Sequence, residues 1–161
     1  MASRKFAAWV EPLAASYRES RADLVQLART LTDEQLSRPT GDEGWSVRKE
    51  VTHIAASDPD FLKTLNAILD GGTPDLDIFT DIDARNARNL ERWKNRSMEE
   101  MTGELESNGQ ALQDLLARLT ADDKARQPEG LPFPLGFLIN GYGQHGPYHL
   151  GQIRQAIGQS E

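Results

Sequence analysis

No cysteine occurs in this chain, which excludes disulfides, thiolate metal ligands and a cysteine nucleophile together. Basic runs are missing too: 18 lysines and arginines are scattered among 25 acidic residues, for a net charge of −7. Gripping nucleic acid needs clustered Lys and Arg against the phosphates, so no nucleic-acid partner is expected. No stretch approaches the ~18 apolar residues of a membrane-spanning helix. The start, M-A-S-R-K-F-A-A-W-V, lacks a signal-peptide apolar core. A cytoplasmic protein without a membrane partner is the expectation. Strand alternation bounded by hairpin turns is also absent, as are internal repeats and low-complexity tracts.

What is present is helical periodicity. With 38% apolar and 27% charged residues the 161-residue chain is globular, and its length fits one domain over residues 1–161. Leu13, Tyr17, Leu24, Leu27 and Leu31 recur at helical spacings, marking a first amphipathic helix with Pro12 in its first turn. Thr32 with Gln35 reads as a capping box, and R-P-T-G-D-E-G as a loop. Ser46 caps a second long helix striped by Val47, Val51, Ile54, Phe61, Leu65 and Ile68. A weaker helix covers about Asp83 to Lys94. Ser97 with Glu100 opens another, striped by Met101, Leu105, Leu112, Leu115 and Leu119. After the loop Q-P-E-G-L-P-F-P, a last helix carries Leu135, Leu138, Tyr142, His145, His149, Ile153 and Ala156 on its inner stripe. These elements predict an all-α fold, a helix bundle.

The chain has three histidines, and all of them can be assigned to one site. His145 and His149 form an H-x-x-x-H pair, which a helix stacks on one face. His53 lies on the second long helix, at a flank of its apolar seam. Three imidazoles with an open position are how catalytic zinc sites are built. The alternative is three core or boundary histidines, each satisfied by a carbonyl, and the pattern alone leaves both readings open. Pro147 sits inside the pair and cannot donate to the carbonyl of Gly143, so the helix either starts just before it or kinks there. Gly141, Gly143 and Gly146 crowd the same turn and allow close helix approach. Pro59 repeats the effect six residues after His53; the two prolines either mark ordinary kinks or widen the bundle for a substrate.

At these residues the chain resembles the DinB/YfiT family of metal-binding four-helix bundles. The likeness lies in G-W-S-V-R-K-E-V-T-H-I-A around His53 and in G-Q-H-G-P-Y-H-L-G-Q-I-R around His145 and His149. Between them, Asp81, Asp83 and Asn86, followed by R-S-M-E-E, are similar to the family's third-helix region. The resemblance implies an up-down-down-up four-helix bundle, or a similar one, with one long connection. It implies a divalent metal, zinc or nickel, held by His53, His145 and His149, and a homodimer. Better-understood relatives transfer bacillithiol or mycothiol, or isomerise maleylpyruvate with mycothiol; many others are named as metal-dependent hydrolases. The isomerases tend to carry a further C-terminal domain, and with the chain stopping at Glu161 the transferase branch is the expectation.

Around the histidines, four further residues are candidates for the pocket or for orienting the ligands. Glu50, one turn before His53, either orients that ring's second nitrogen or is a solvated surface acid. Asp58 falls on the apolar stripe of its helix and is a buried-polar candidate. Tyr142 and Tyr148 line a pocket or, for Tyr142, belong to the core. Trp45 and Ser46 read as the start and cap of a helix rather than a substrate wall. No residue is assigned as the catalytic acid or base. The functional expectation is a metal-dependent enzyme that activates a low-molecular-weight thiol for attack on a small electrophile. Metal-dependent hydrolysis and a non-catalytic, metal-stabilised bundle are the alternatives.

Overall fold

The computed structural model describes residues 4–159, apart from the side chain of Ile78. Met1–Ser3, the first residues of the stretch that lacks a signal-peptide core, lie outside the described residues, as do Ser160 and Glu161. Seven α-helices follow one another: α1 (Glu11–Ala28), α2 (Asp33–Ser37), α3 (Val47–Leu69), α4 (Asp77–Thr80), α5 (Ile82–Trp93), α6 (Met98–Leu116) and α7 (Leu135–Ala156). None of the described helices is long and apolar enough to cross a membrane.

Local chemistry sets the helix starts. Thr32 and Ser97 each head a complete capping box, with Gln35 and Glu100 returning the hydrogen bond. Ser46 caps α3 through Lys49 N, and Asp81 caps α5 through Ala84 N.

Four long helices make the bundle, and their contacts fix its directions. On α1 and α6, Arg29 meets Glu106 while Ala14 O accepts from Gln113, so these two run antiparallel. On α1 and α7, Tyr17 stacks on Tyr142 and Asp23 pairs with Arg154, so these run parallel. Helices α3 and α6 are also parallel, joined by Thr52 with Met101 at one end and Asn66 with Arg118 at the other. The order is therefore up-down-down-up, and the α3–α6 link crosses over through α4 and α5. This is an all-α four-helix bundle with one long connection, and no strand is present among the described residues.

The α3 stripe from Val47 to Ile68 is fully buried. On α6 burial falls on Leu116 rather than Leu115, because the inner face drifts over the last turn. Leu13, Leu27 and Leu31 are only half-buried, and α1 turns Ala14, Val25 and Ala28 inward instead. Two apolar clusters result, one around Val51, Ile54, Met101 and Ile153, the other around Phe61, Leu65, Leu116 and Leu135. The polar site lies between them.

Helix α7 runs unbroken through Pro147, which excludes a helix start at that turn. A Cβ on Gly143 would lie 3.7 Å from Leu13 Cδ2, and one on Gly146 3.5 Å from Ser20 Oγ, so both glycines face α1 at close approach. Two other glycines of α7 separate space from propensity. Alanine at Gly136 would place its Cβ 2.7 Å from the Lys124 carbonyl oxygen, whereas Gly151 has nothing within 4 Å. Gly136→Ala should lose about 1–3 kcal/mol, and Gly151→Ala should gain up to about 1 kcal/mol, both read from urea unfolding midpoints.

Candidate metal centre

The site is built where α3 and α7 lie antiparallel. His53, on the α7-facing flank of α3, is buried; His145 keeps part of its ring exposed, and His149 is buried on α7. His53 Nε2 and His145 Nε2 face each other at 2.8 Å. All three ring centroids lie within 4.6–4.8 Å of one another. One ligand atom from each histidine falls inside a 4.8 Å circle.

Burial, then the neighbouring His149 and Arg85, lowers the pKa of His53 to about 3. Burial, then His53 and His149, lowers that of His145 to about 2. Both rings are therefore neutral at physiological pH and carry a lone pair each.

Glu50 is the fixed point of the outer layer. Its carboxylate is fully buried, accepting from His149 Nδ1–H at 2.6 Å and from the Thr40 hydroxyl at 2.7 Å. It thus orients His149 rather than His53. The reason is geometric: the antiparallel crossing sets Glu50 level with His149, while His53 Nδ1 turns toward Ser57 Oγ at 3.5 Å. With Nδ1 committed to Glu50, Nε2 is the nitrogen of His149 left to face the other two rings.

Asp58 is equally buried but serves a different network. Arg21 donates to it from Nη1 at 2.5 Å and from Nη2 at 2.9 Å, and Nη2 also reaches the Tyr17 hydroxyl at 2.6 Å. The Tyr142 hydroxyl donates to Asp58 Oδ1. Burial alone would lower the pKa of Arg21, but the Asp58 carboxylate, together with Tyr17 and Tyr142, outweighs it and holds the guanidinium charged. Burial and the same carboxylate raise Tyr142 well above the usual phenol range, so it stays protonated. Its ring stacks on Phe61 at 3.5 Å and on His145 at 5.5 Å between centroids. Asp58 therefore holds Tyr142, and Tyr142 backs His145.

Tyr148 is exposed; its ring meets His149 edge-on at 5.0 Å and its hydroxyl donates to Asp42. It does not line the cavity beside His145, whereas Tyr142 does. Trp45 is more than a helix start, since its ring lies 5.1 Å from His53 and stacks on His149 at 6.2 Å. Sequence reasoning missed Arg21, Thr40 and Asp42. Only Arg21 left a signal, a cation at the inward position between Tyr17 and Leu24.

Among the described residues, two groups of side chains have the spacing to hold a metal ion: His53 with His145 and His149, and Asp42 with Glu50 and His149. In the second group the carboxylates already accept from Tyr148, Thr40 and His149. The first offers three imidazole nitrogens, two of them on rings held neutral by burial. Two imidazoles on one tetrahedral ion sit about 3.3 Å apart, so His53 and His145 need part only by about half an ångström. The buried Glu50 anion behind His149 is also complemented by a cation in front of it. The donor set fits a divalent metal.

An up-down-down-up helical bundle with clustered histidines on its second and last long helices is the class that fold and site define. Residues 16–153 match the family model of the DinB superfamily, and the chain belongs to that superfamily. Comparison with curated proteins and with solved structures gives no match.

Two expectations follow for metal-free protein. An imidazole with a pKa of 6.5 unfolded and about 3 folded takes up a proton on unfolding between those values. Stability is therefore complete above pH 6.5 and falls as pH drops through that window. Urea midpoints should decline from pH 6.5 to 5, and His53→Gln with His145→Gln should flatten the decline. Arg21→Met, which strands the Asp58 charge, should cost about 3–5 kcal/mol by the same measurement.

Proposed function

We propose that this chain is a divalent-metal-dependent enzyme whose metal is held by His53, His145 and His149, and that it transfers a low-molecular-weight thiol to a small electrophile. The observation that carries the reading is the convergence of three imidazoles, two of them held neutral by burial, one of which, His145, lines an open cavity of about 280 Å³. A bound zinc or nickel ion supplies electrostatic stabilisation of a thiolate at neutral pH.

The remaining work falls to the chain's own residues. Glu50, anchored by Thr40, fixes the tautomer and the plane of His149. Arg21 and Asp58 hold Tyr142 against His145, so that the ligand nearest the cavity is buttressed on one side. Trp45 covers His53 and His149 on another side. The apolar cavity takes the body of the electrophile and excludes water.

Transfer is favoured over hydrolysis by what lines the cavity. No carboxylate is among its described lining residues, and Glu50 and Asp58 are both engaged in hydrogen bonds. A general base for water is therefore not at hand. Without a cysteine of its own, the chain takes its thiol from solution. A cytoplasmic homodimer acting on a small molecule belongs to the same reading, on the strength of the family resemblance.

Zinc analysis and turnover test this together. His149→Ala should lose its metal, and Glu50→Gln should bind zinc about 10–100-fold more weakly. Zinc-loaded protein should consume electrophiles only when a low-molecular-weight thiol is supplied, and His53→Ala should abolish this. Thiol-independent turnover would favour hydrolysis. Zinc retention without turnover would favour a metal that only stabilises the bundle. A fully loaded His149→Ala protein would overturn the ligand assignment.

A further inference from the structure

Four of the chain's five phenylalanines stand around one cavity: Phe61, Phe79, Phe133 and Phe137. They come from α3, α4, the loop before α7, and α7 itself. Between centroids, Phe133 meets Phe79 edge-on at 5.8 Å and Phe137 at a tilt at 5.1 Å. Tyr142 adds a fifth ring, and His145 opens onto the same space. Only three large apolar side chains are exposed among the described residues, and two of them, Phe137 (64%) and Ile82 (53%), stand at this cavity. Aromatic surface left open to water beside a concave pocket marks a binding site rather than a core.

One charged side chain lines the cavity, Arg85 of α5. It is half-buried, donates to Asn86 Oδ1 at 3.3 Å, and adds its positive charge to the field at His53 and His145. A guanidinium at the polar end of an apolar pocket selects a carboxylate by paired, charge-assisted hydrogen bonds.

We infer that the cavity binds a small aromatic anion, one or two rings bearing a carboxylate, with the rings among the phenylalanines and the carboxylate on Arg85. The inference rests on reading the histidine cluster as the reaction centre, since it names the class of electrophile delivered there. Size supports it. About 150 Å³ accommodates a benzene ring, so about 280 Å³ takes a substituted ring or a fused pair. The aromatic walls prefer a ring over an aliphatic chain of equal length, and Arg85 disfavours an amine.

Calorimetric titration of the full chain as purified with 3-phenylpropionate, 3-phenylpropionamide and hexanoate tests this. Phenylpropionate should bind roughly tenfold more tightly than either of the others. Arg85→Gln should erase the preference for acid over amide while leaving the amide unchanged, and Arg85→Lys should retain much of it. Phe133→Ser should weaken acid and amide alike. Equal binding of acid and amide to the unaltered chain would overturn the inference, as would no binding of any probe. An acid preference that survives Arg85→Gln would overturn it too, by placing the carboxylate on another cation. Zinc content measured on the same samples separates the two readings. Zinc without phenylpropionate sinks the pocket assignment alone, and phenylpropionate without zinc sinks the metal centre.

Discussion

The antiparallel seam between α3 and α7 is the constraint on which the site depends. Along it, Glu50 lies level with His149, His53 with His145, and Asp58 with Tyr142. A parallel pairing would carry Glu50 and His149 far apart along the seam and break the register of the other two pairs. Connectivity enforces the direction, because the long link through α4 and α5 lets α3 and α6 run the same way and leaves α7 to return beside α3. The glycines at 143 and 146 let α7 close onto α1.

Two buried carboxylates on α3 show how the same residue type is used in two ways. Asp58 is neutralised within the chain by Arg21, and the pair spans the bundle diagonally from α1 to α3. It serves as a clamp on Tyr142. Among the described residues Glu50 has no arginine or lysine in an ion pair with it; a hydroxyl and an imidazole are its partners. Its charge is therefore turned toward the three histidines. On the proposed reading, the anion that is costly to bury is offset by the divalent cation that it helps to hold.

Much of the fold was legible because it is written in local chemistry. The capping residues Thr32, Ser46 and Ser97, the long α3 stripe and the Gly-Pro loops each act within a few residues, and periodicity reports them directly. The topology came from resemblance, since no stripe tells which neighbour it faces. At the site, the sequence pointed to Glu50 and Asp58 but not to their partners. Glu50 was nearest to His53 in the chain, yet its partner lies on another helix. Arg21 and Asp58 are complementary charges on inward stripes of two helices, a pairing visible only once both are noticed. Thr40 and Trp45 sit in or beside a loop without periodicity, and the phenylalanine cavity gathers four separate segments.

X-ray absorption at the zinc edge of the loaded protein tests the central claim most directly. Three imidazole nitrogens at about 2.0–2.1 Å, with the remaining coordination from exchangeable light atoms and none from Glu50, is the predicted shell. A shell with fewer imidazoles, or one in which the Glu50→Gln substitution removes a directly bound oxygen, would contradict it.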